Sequence, residues 1–249
     1  MELNSTVAIV TGGNGGLGRR ICRALAEAGC QVVVVYAQSQ GEADEVVAQL
    51  QATGAQAGAI QCDVADPTQV DRLAQVTLER FGRIDILVND AAYNKWIPFH
   101  DLDGLTGGEW DKMLAINLTG PMMCIKAVAV TMKRQGQGRI VNISSVAGLF
   151  PGGSSIPYAV SKAGLIHLTR CMSVGLAPEI LVNCIAPGYL EGTRATANLD
   201  PAYRERVASS SLLKRPADKD DIARQVIELC RTDSITGQTL VMDAGGFYH

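Results

Sequence analysis

The sequence predicts an α/β fold in which a single doubly wound parallel sheet of about seven strands carries helices on both faces. Three observations predict it. Short β-branched apolar runs recur along the chain, helix-length amphipathic segments separate them, and no linker-like stretch interrupts the series. The 249 residues are 47% hydrophobic and 19% charged, enough to bury a sizeable core, and one sheet accounts for all of them as a single domain over residues 1–249.

The first strand is expected at Val7–Val10 and the second at Val32–Val35. Between them, Gly18–Gly29 places Ile21, Leu25 and Ala28 at helical spacing, which completes a β–α–β unit. Further strands are expected at Ala57–Gln61, Ile86–Asn89, Arg139–Ile143, Leu181–Ile185 and Thr239–Met242. Asp66 before Pro67 reads as a helix N-cap with proline at the first helical position, and Asp218 precedes the amphipathic run Ile222–Leu229. The cluster Pro151–Pro157 and the irregular stretch Pro187–Tyr203 follow strands, where an open sheet binds its ligands, so both are expected to form site loops.

A formal charge of −3 gives no broad attraction to nucleic acid or to an anionic membrane, which leaves small-molecule chemistry as the expectation. Met1–Thr6 lacks a basic start followed by an apolar stretch, and no uninterrupted apolar run approaches the roughly 18 residues of a membrane span, so a cytoplasmic protein is expected. Cys22, Cys30, Cys62, Cys124, Cys171, Cys184 and Cys230 form no Cys-x-x-Cys pair and read as small buried hydrophobes. His100 and His167 have no companions at metal-ligand spacing, so no metal is expected.

Directly after the first strand comes Thr11-Gly12-Gly13-Asn14-Gly15-Gly16-Leu17-Gly18, opening a helix. Glycine removes Cβ, so the chain turns tightly and brings backbone N–H groups and the positive helix end close to a pyrophosphate. This predicts dinucleotide binding in a Rossmann-type fold. Selection of NAD usually places a carboxylate at the end of the second strand, where this chain has Tyr36-Ala37-Gln38-Ser39. A neutral strand end removes the charge that would repel a 2′-phosphate, and Ser39 offers it a donor; NADP(H) is favoured and NAD(H) remains possible.

Tyr158 and Lys162 are four apart in the helical segment Ser155–Leu168 and so share a face. Ser145 lies thirteen residues before Tyr158, just past a strand. Taken with Thr11 and the Gly-x-x-x-Gly-x-Gly spacing, these residues resemble the short-chain dehydrogenase/reductase family, in the single-domain branch similar to 3-oxoacyl-[acyl-carrier-protein] reductases. The similarity runs from Thr6 to Gly246.

The resemblance implies an NAD(P)-dependent oxidoreductase, a carbonyl reductase or alcohol dehydrogenase, with Tyr158 as general acid/base. It implies that Lys162 favours the phenolate and holds the nicotinamide ribose, that Ser145 orients the carbonyl oxygen, and that Asn117 supports a water-linked proton path. Asp63 and Val64 match the family's adenine-contacting pair. Asn89-Asp90-Ala91-Ala92 stands where the family usually has Asn-Asn-Ala-Gly, a departure at Asp90 and Ala92. Pro187-Gly188 corresponds to the turn beneath the nicotinamide, followed by Leu190, Thr193 and a substrate loop at about residues 187–206. Trp96, Phe150, Pro151, Tyr189 and Leu190 are the candidate substrate-lining residues. The ending from Ile235 resembles a segment near a tetramer interface, so a homotetramer is the family expectation. The alternatives are a noncatalytic dinucleotide-binding sensor, an NAD-dependent polyol or sugar dehydrogenase, and a sugar-nucleotide epimerase or dehydratase.

Overall fold

The computed structural model describes residues 1–197 and 199–247. Its centre is a seven-stranded parallel sheet in the order β3-β2-β1-β4-β5-β6-β7. The strands are β1 (Val7–Thr11), β2 (Gln31–Tyr36), β3 (Ala57–Gln61), β4 (Ile86–Asn89), β5 (Gly138–Ile143), β6 (Ile180–Pro187) and β7 (Thr239–Met242). All seven expected strands are present, with ends moved by one or two residues where the flanking backbone continues the ladder. The helices are α1 (Gly18–Glu27), α2 (Gln40–Ala52), α3 (Pro67–Phe81), α4 (Gly107–Leu114), α5 (Gly120–Gln135), α6 (Ile156–Leu176), α7 (Arg194–Ala197), α8 (Pro201–Ser210) and α9 (Lys219–Arg231).

Side chains alternate across the sheet, as a period of two requires. Ala8 and Val10 join Ile21, Leu25 and Val226 in one core, while Val7 and Ile9 join Leu73, Ile125 and Met132 in the other. Strand order reverses at β1, with β2 on one side and β4 on the other, and a crevice opens there beyond the strand carboxyl ends. Thr11 pairs with Asn89 and Asn89 with Asn142, so this edge is one continuous row from which the site is built.

Both expected caps form: Asp66 accepts from the N–H groups of Thr68 and Gln69, and Asp218 from those of Asp220 and Asp221. Two expectations are corrected. Cys171 is exposed, because it lies on the outward side of α6, whereas the other six cysteines are buried. The stretch after β6 is not irregular throughout; it contains α7 and the start of α8, which Asp200 caps through the N–H of Tyr203. Residue 198 of that expected loop, like residues 248 and 249 of the expected domain, lies outside the described residues. Helix α4, a π-helical turn and α5 run on as Gly107–Gln135, a helix long and apolar enough to cross a membrane by length and composition. Met113, Cys124, Ile125, Val128 and Met132 of this helix are buried, the last four against the sheet.

Candidate active site

The glycine turn is a tight cradle. Gly12 has φ +66°, and a Cβ there would meet the Ala91 Cα at 3.0 Å. At Gly18 a Cβ would fall 2.2 Å from the Gly12 carbonyl oxygen, and at Gly16 it would fall 2.5 Å from the Gly192 carbonyl oxygen. The turn thus closes on itself, and the segment after β6 lies directly over it. Thr11 and Asn14 hold this arrangement from within. The Thr11 hydroxyl accepts from the N–H groups of Asp90 and Ala91, both at 3.1 Å. Asn14 donates from Nδ2 to the carbonyls of Gln38 and Ser39 at 3.1 and 3.4 Å, tying the end of β2 to the turn.

A groove of 150 Å³ runs along the strand ends. It brings together Gly12, Gly16, Leu17, Ala91, Ser145, Tyr158, Lys162, Pro187, Gly188, Leu190 and Thr193 from the expected set. The other expected contacts stand outside its walls. Tyr36 is buried in the core, and Val64 packs in the opposite one. Ser39 is exposed, with φ +63°, at the start of α2. Asp63 is exposed and is not free of partners, since its Oδ1 accepts from the Ala65 N–H at 3.0 Å. Asn89 donates to Asn142 Oδ1 at 2.8 Å, while its own Oδ1 is buried without a partner.

The segment from Ser155 positions the central pair. Ser155 caps α6 through the Tyr158 N–H, Pro157 suits the first helical turn, and Lys162 follows one turn later on the same face. Lys162 is 2% exposed; its Nζ donates to the Ile143 carbonyl at 2.9 Å and stands 5.7 Å from the centre of the Tyr158 ring. The Ser144 hydroxyl donates to the Lys162 carbonyl at 2.8 Å, fastening the end of β5 to α6. Close approach of these elements depends on Gly148, whose added Cβ would lie 2.6 Å from the Lys162 carbonyl carbon.

Electrostatics follow from enclosure. Burial pushes the Tyr158 phenol up to about 12, opposed by a hydrogen bond from Ser145 that favours the phenolate. Burial pulls Lys162 down to about 8, against the attraction of Asp90, and pushes Asp90 up to about 7, against the attraction of Lys162. Asn117 sits in a π-helical turn, Ala115–Thr119, between α4 and α5. Such a turn shifts a side chain out of helical register, a common device at functional sites. Its amide is spent on backbone and helix: Oδ1 accepts from the Tyr93 N–H at 2.8 Å, and Nδ2 donates to the Tyr93 carbonyl and to Ser161 Oγ at 2.9 and 3.1 Å. It lines neither cavity described here.

A second cavity, of 190 Å³, opens beside the groove and shares Ser145 and Tyr158 with it. Phe150 and Tyr189 are among its walls, as expected. Trp96 and Pro151 are not: Trp96 instead packs on Tyr203, ring centres 5.1 Å apart, and so backs the wall. Leu190 lines the groove rather than this cavity. Tyr203 falls within the expected loop 187–206, whereas Asn94, Asp243 and Phe247 are walls the sequence did not reveal. Phe247 stacks on Phe150 at 4.7 Å across nearly a hundred residues of chain, a pairing with no local signal.

Residues 6–204 match the family described as short chain dehydrogenase. The chain is 39% identical over 248 residues to a 3-oxoacyl-[acyl-carrier-protein] reductase of Synechocystis sp., covering 98% of this chain and 97% of that protein. It is 38% identical over 248 residues to dehydrogenase/reductase SDR family member 4 of Mus musculus, covering 98% and 88%. Among solved structures, a gluconate 5-dehydrogenase from Burkholderia cenocepacia in complex with NADP and tartrate superposes with a TM-score of 0.89 at 31% identity, covering 97% of this chain and 95% of the other. Sequence, sheet order and site geometry agree: the chain belongs to the short-chain dehydrogenase/reductase family of NAD(P)-dependent oxidoreductases.

Proposed function

We propose that this enzyme transfers hydride between NADP(H) and a ketone or secondary alcohol, with Tyr158 as the general acid/base. One observation carries the reading: Ser145 and Tyr158 wall both the groove and the adjoining cavity, along with Gly188, Ala195 and Thr196, and of these five only Ser145 and Tyr158 pair a proton-bearing side chain with the neighbouring Lys162, so a cofactor in one and a substrate in the other would meet beside them.

The groove suits a dinucleotide. Its turn has no room for a Cβ at Gly12, Gly16 or Gly18; Gly12, Gly15, Gly16 and Leu17, just before α1, wall it, and Lys162 supplies a cation. Gly12, Gly16 and Leu17 would hold the diphosphate, Lys162 the nicotinamide ribose, and Pro187, Gly188, Leu190 and Thr193 the nicotinamide end. When bound, the cofactor supplies hydride to the carbonyl carbon or accepts it in the reverse direction. Ser145 Oγ donates to the substrate oxygen and orients it, and Tyr158 Oη delivers the proton as negative charge develops there. The Lys162 ammonium favours the phenolate left behind. In oxidation the phenolate takes the alcohol proton. Asn117 holds Ser161 and the backbone at Tyr93 in place, and so sets the wall of α6 rather than touching the substrate.

Phe150, Tyr189, Tyr203 and Phe247 give the substrate cavity an aromatic lining, which favours a ketone carried on an apolar body. NADPH is preferred to NADH because the end of β2 offers no carboxylate to repel a 2′-phosphate. The NADP-bound structural relative supports the same cofactor. A homotetramer is proposed from the resemblance of the ending after Ile235 to a segment near a tetramer interface.

The test is a panel of ketones, 3-oxoacyl thioesters and polyols, followed through NADPH absorbance. Turnover of carbonyls with NADPH supports the reading. Absence of oxidation or reduction across the panel, with cofactor binding intact, would favour a dinucleotide sensor.

A further inference from the structure

We infer that Asp90 is the counter-ion of Lys162, a positioning residue that keeps the lysine charged inside the groove. The inference rests on the role proposed above for Lys162 only for the use made of that charge.

Lys162 is almost fully buried, and its hydrogen bond goes to a neutral acceptor, the Ile143 carbonyl. A buried ammonium facing only neutral groups is expensive and tends to give up its proton, so a compensating negative charge is required nearby. Among the described groove walls, Asp90 is the one acidic side chain. Its place is fixed by the backbone: the Thr11 hydroxyl accepts the N–H groups of Asp90 and Ala91, so the residue leaves β4 in a set direction.

The other neighbours cannot take this part. Cys184, on β6, feels the lysine charge, but burial pushes its thiol up to about 11 and leaves it neutral. Tyr158, one turn away on α6, is neutral for the same reason. Cys22, on α1, is raised by burial and by the Asp90 charge itself. Arg194, at the far wall, is exposed and pairs with Glu42. The Gly18 N–H at the start of α1 favours the ionised form of Asp90, as Lys162 does. Lys162 thus holds Asp90 towards its carboxylate, and Asp90 in turn holds Lys162 towards its ammonium.

The test is an NMR titration of the cofactor-free protein carrying ¹³C at lysine Cε. The Lys162 resonance is identified by its loss in Lys162→Met. In the wild type it should titrate below the usual lysine range. Asp90→Asn, nearly isosteric, should lower that midpoint by about one pH unit, Asp90→Ser should do the same if the amide fails to fold, and Asp90→Glu should keep it near the wild-type value. An unchanged midpoint in a folded neutral variant overturns the counter-ion assignment. The alkaline limb of kcat should move with the lysine. A limb that stays in place while the lysine midpoint falls would reject the catalytic use of Lys162 and leave the counter-ion assignment standing, so the two readings fail separately.

Discussion

The two ends of the site are built in opposite ways. Around Lys162 the polar groups are buried and tied to backbone: Lys162 to Ile143, Ser144 to Lys162, Asn117 to Tyr93. Around the ends of β2 and β3, Ser39 and Asp63 are exposed on loops, and the one large side chain, Tyr36, is turned into the core. A reaction that moves a proton needs fixed geometry and a low dielectric, and the first region has both. Recognition of a ribose needs only a compatible charge at a strand end. The chemistry is therefore set by many interlocking contacts, whereas cofactor preference depends on a few surface groups and is easier to change.

Substitutions along the site should grade accordingly. The largest effect is expected for Lys162→Met, which removes the buried cation and leaves the Ile143 carbonyl without its donor; kcat/KM should fall by about 10³-fold or more, and cofactor affinity should fall with it. A loss confined to KM would show that the ammonium only binds. Gly18→Ala comes next. Its Cβ would fall 2.2 Å from the Gly12 oxygen, so the turn must shift. Destabilisation of about 1–3 kcal/mol is expected, read as a lower Tm, together with weaker NADPH binding in a fluorescence titration. Ser39→Asp should have the smallest effect. Aspartate tolerates the left-handed backbone there, and the residue is exposed, so Tm should hardly move. The ratio of kcat/KM for NADPH to that for NADH should drop by about tenfold through charge repulsion. An unchanged ratio would mean that the end of β2 is not where the 2′-group sits.

The same contrast explains what the sequence made legible. Inner strands show as β-branched runs because a sheet covered on both faces demands apolar residues throughout, whereas β3, at the edge, has only Ile60 of that kind and is only partly buried. The pairing of Tyr158 with Lys162 was readable because helical spacing fixes it, and Ser145 because its interval to Tyr158 matches that of the family. The surroundings of Asn117 were not: it matched the family's fourth catalytic member, but a π-helical turn leaves no signature in residue type. Tyr203 and Phe247 reach the substrate cavity from α8 and the chain end, and Asn94 from the loop after β4. Contacts of that range depend on loop paths, which local pattern does not encode. Tyr36 was placed correctly at its strand end, but its burial depends on the helices packed over it.

The central claim, that Tyr158 supplies and removes the proton at a site otherwise complete without its hydroxyl, is most directly tested by Tyr158→Phe. The variant should be assayed beside the wild type with one carbonyl substrate and NADPH, with cofactor binding measured separately. The account predicts a fall in kcat of at least about 10²–10⁴-fold, with the NADPH dissociation constant within about twofold of wild type. Turnover at the wild-type rate would contradict it.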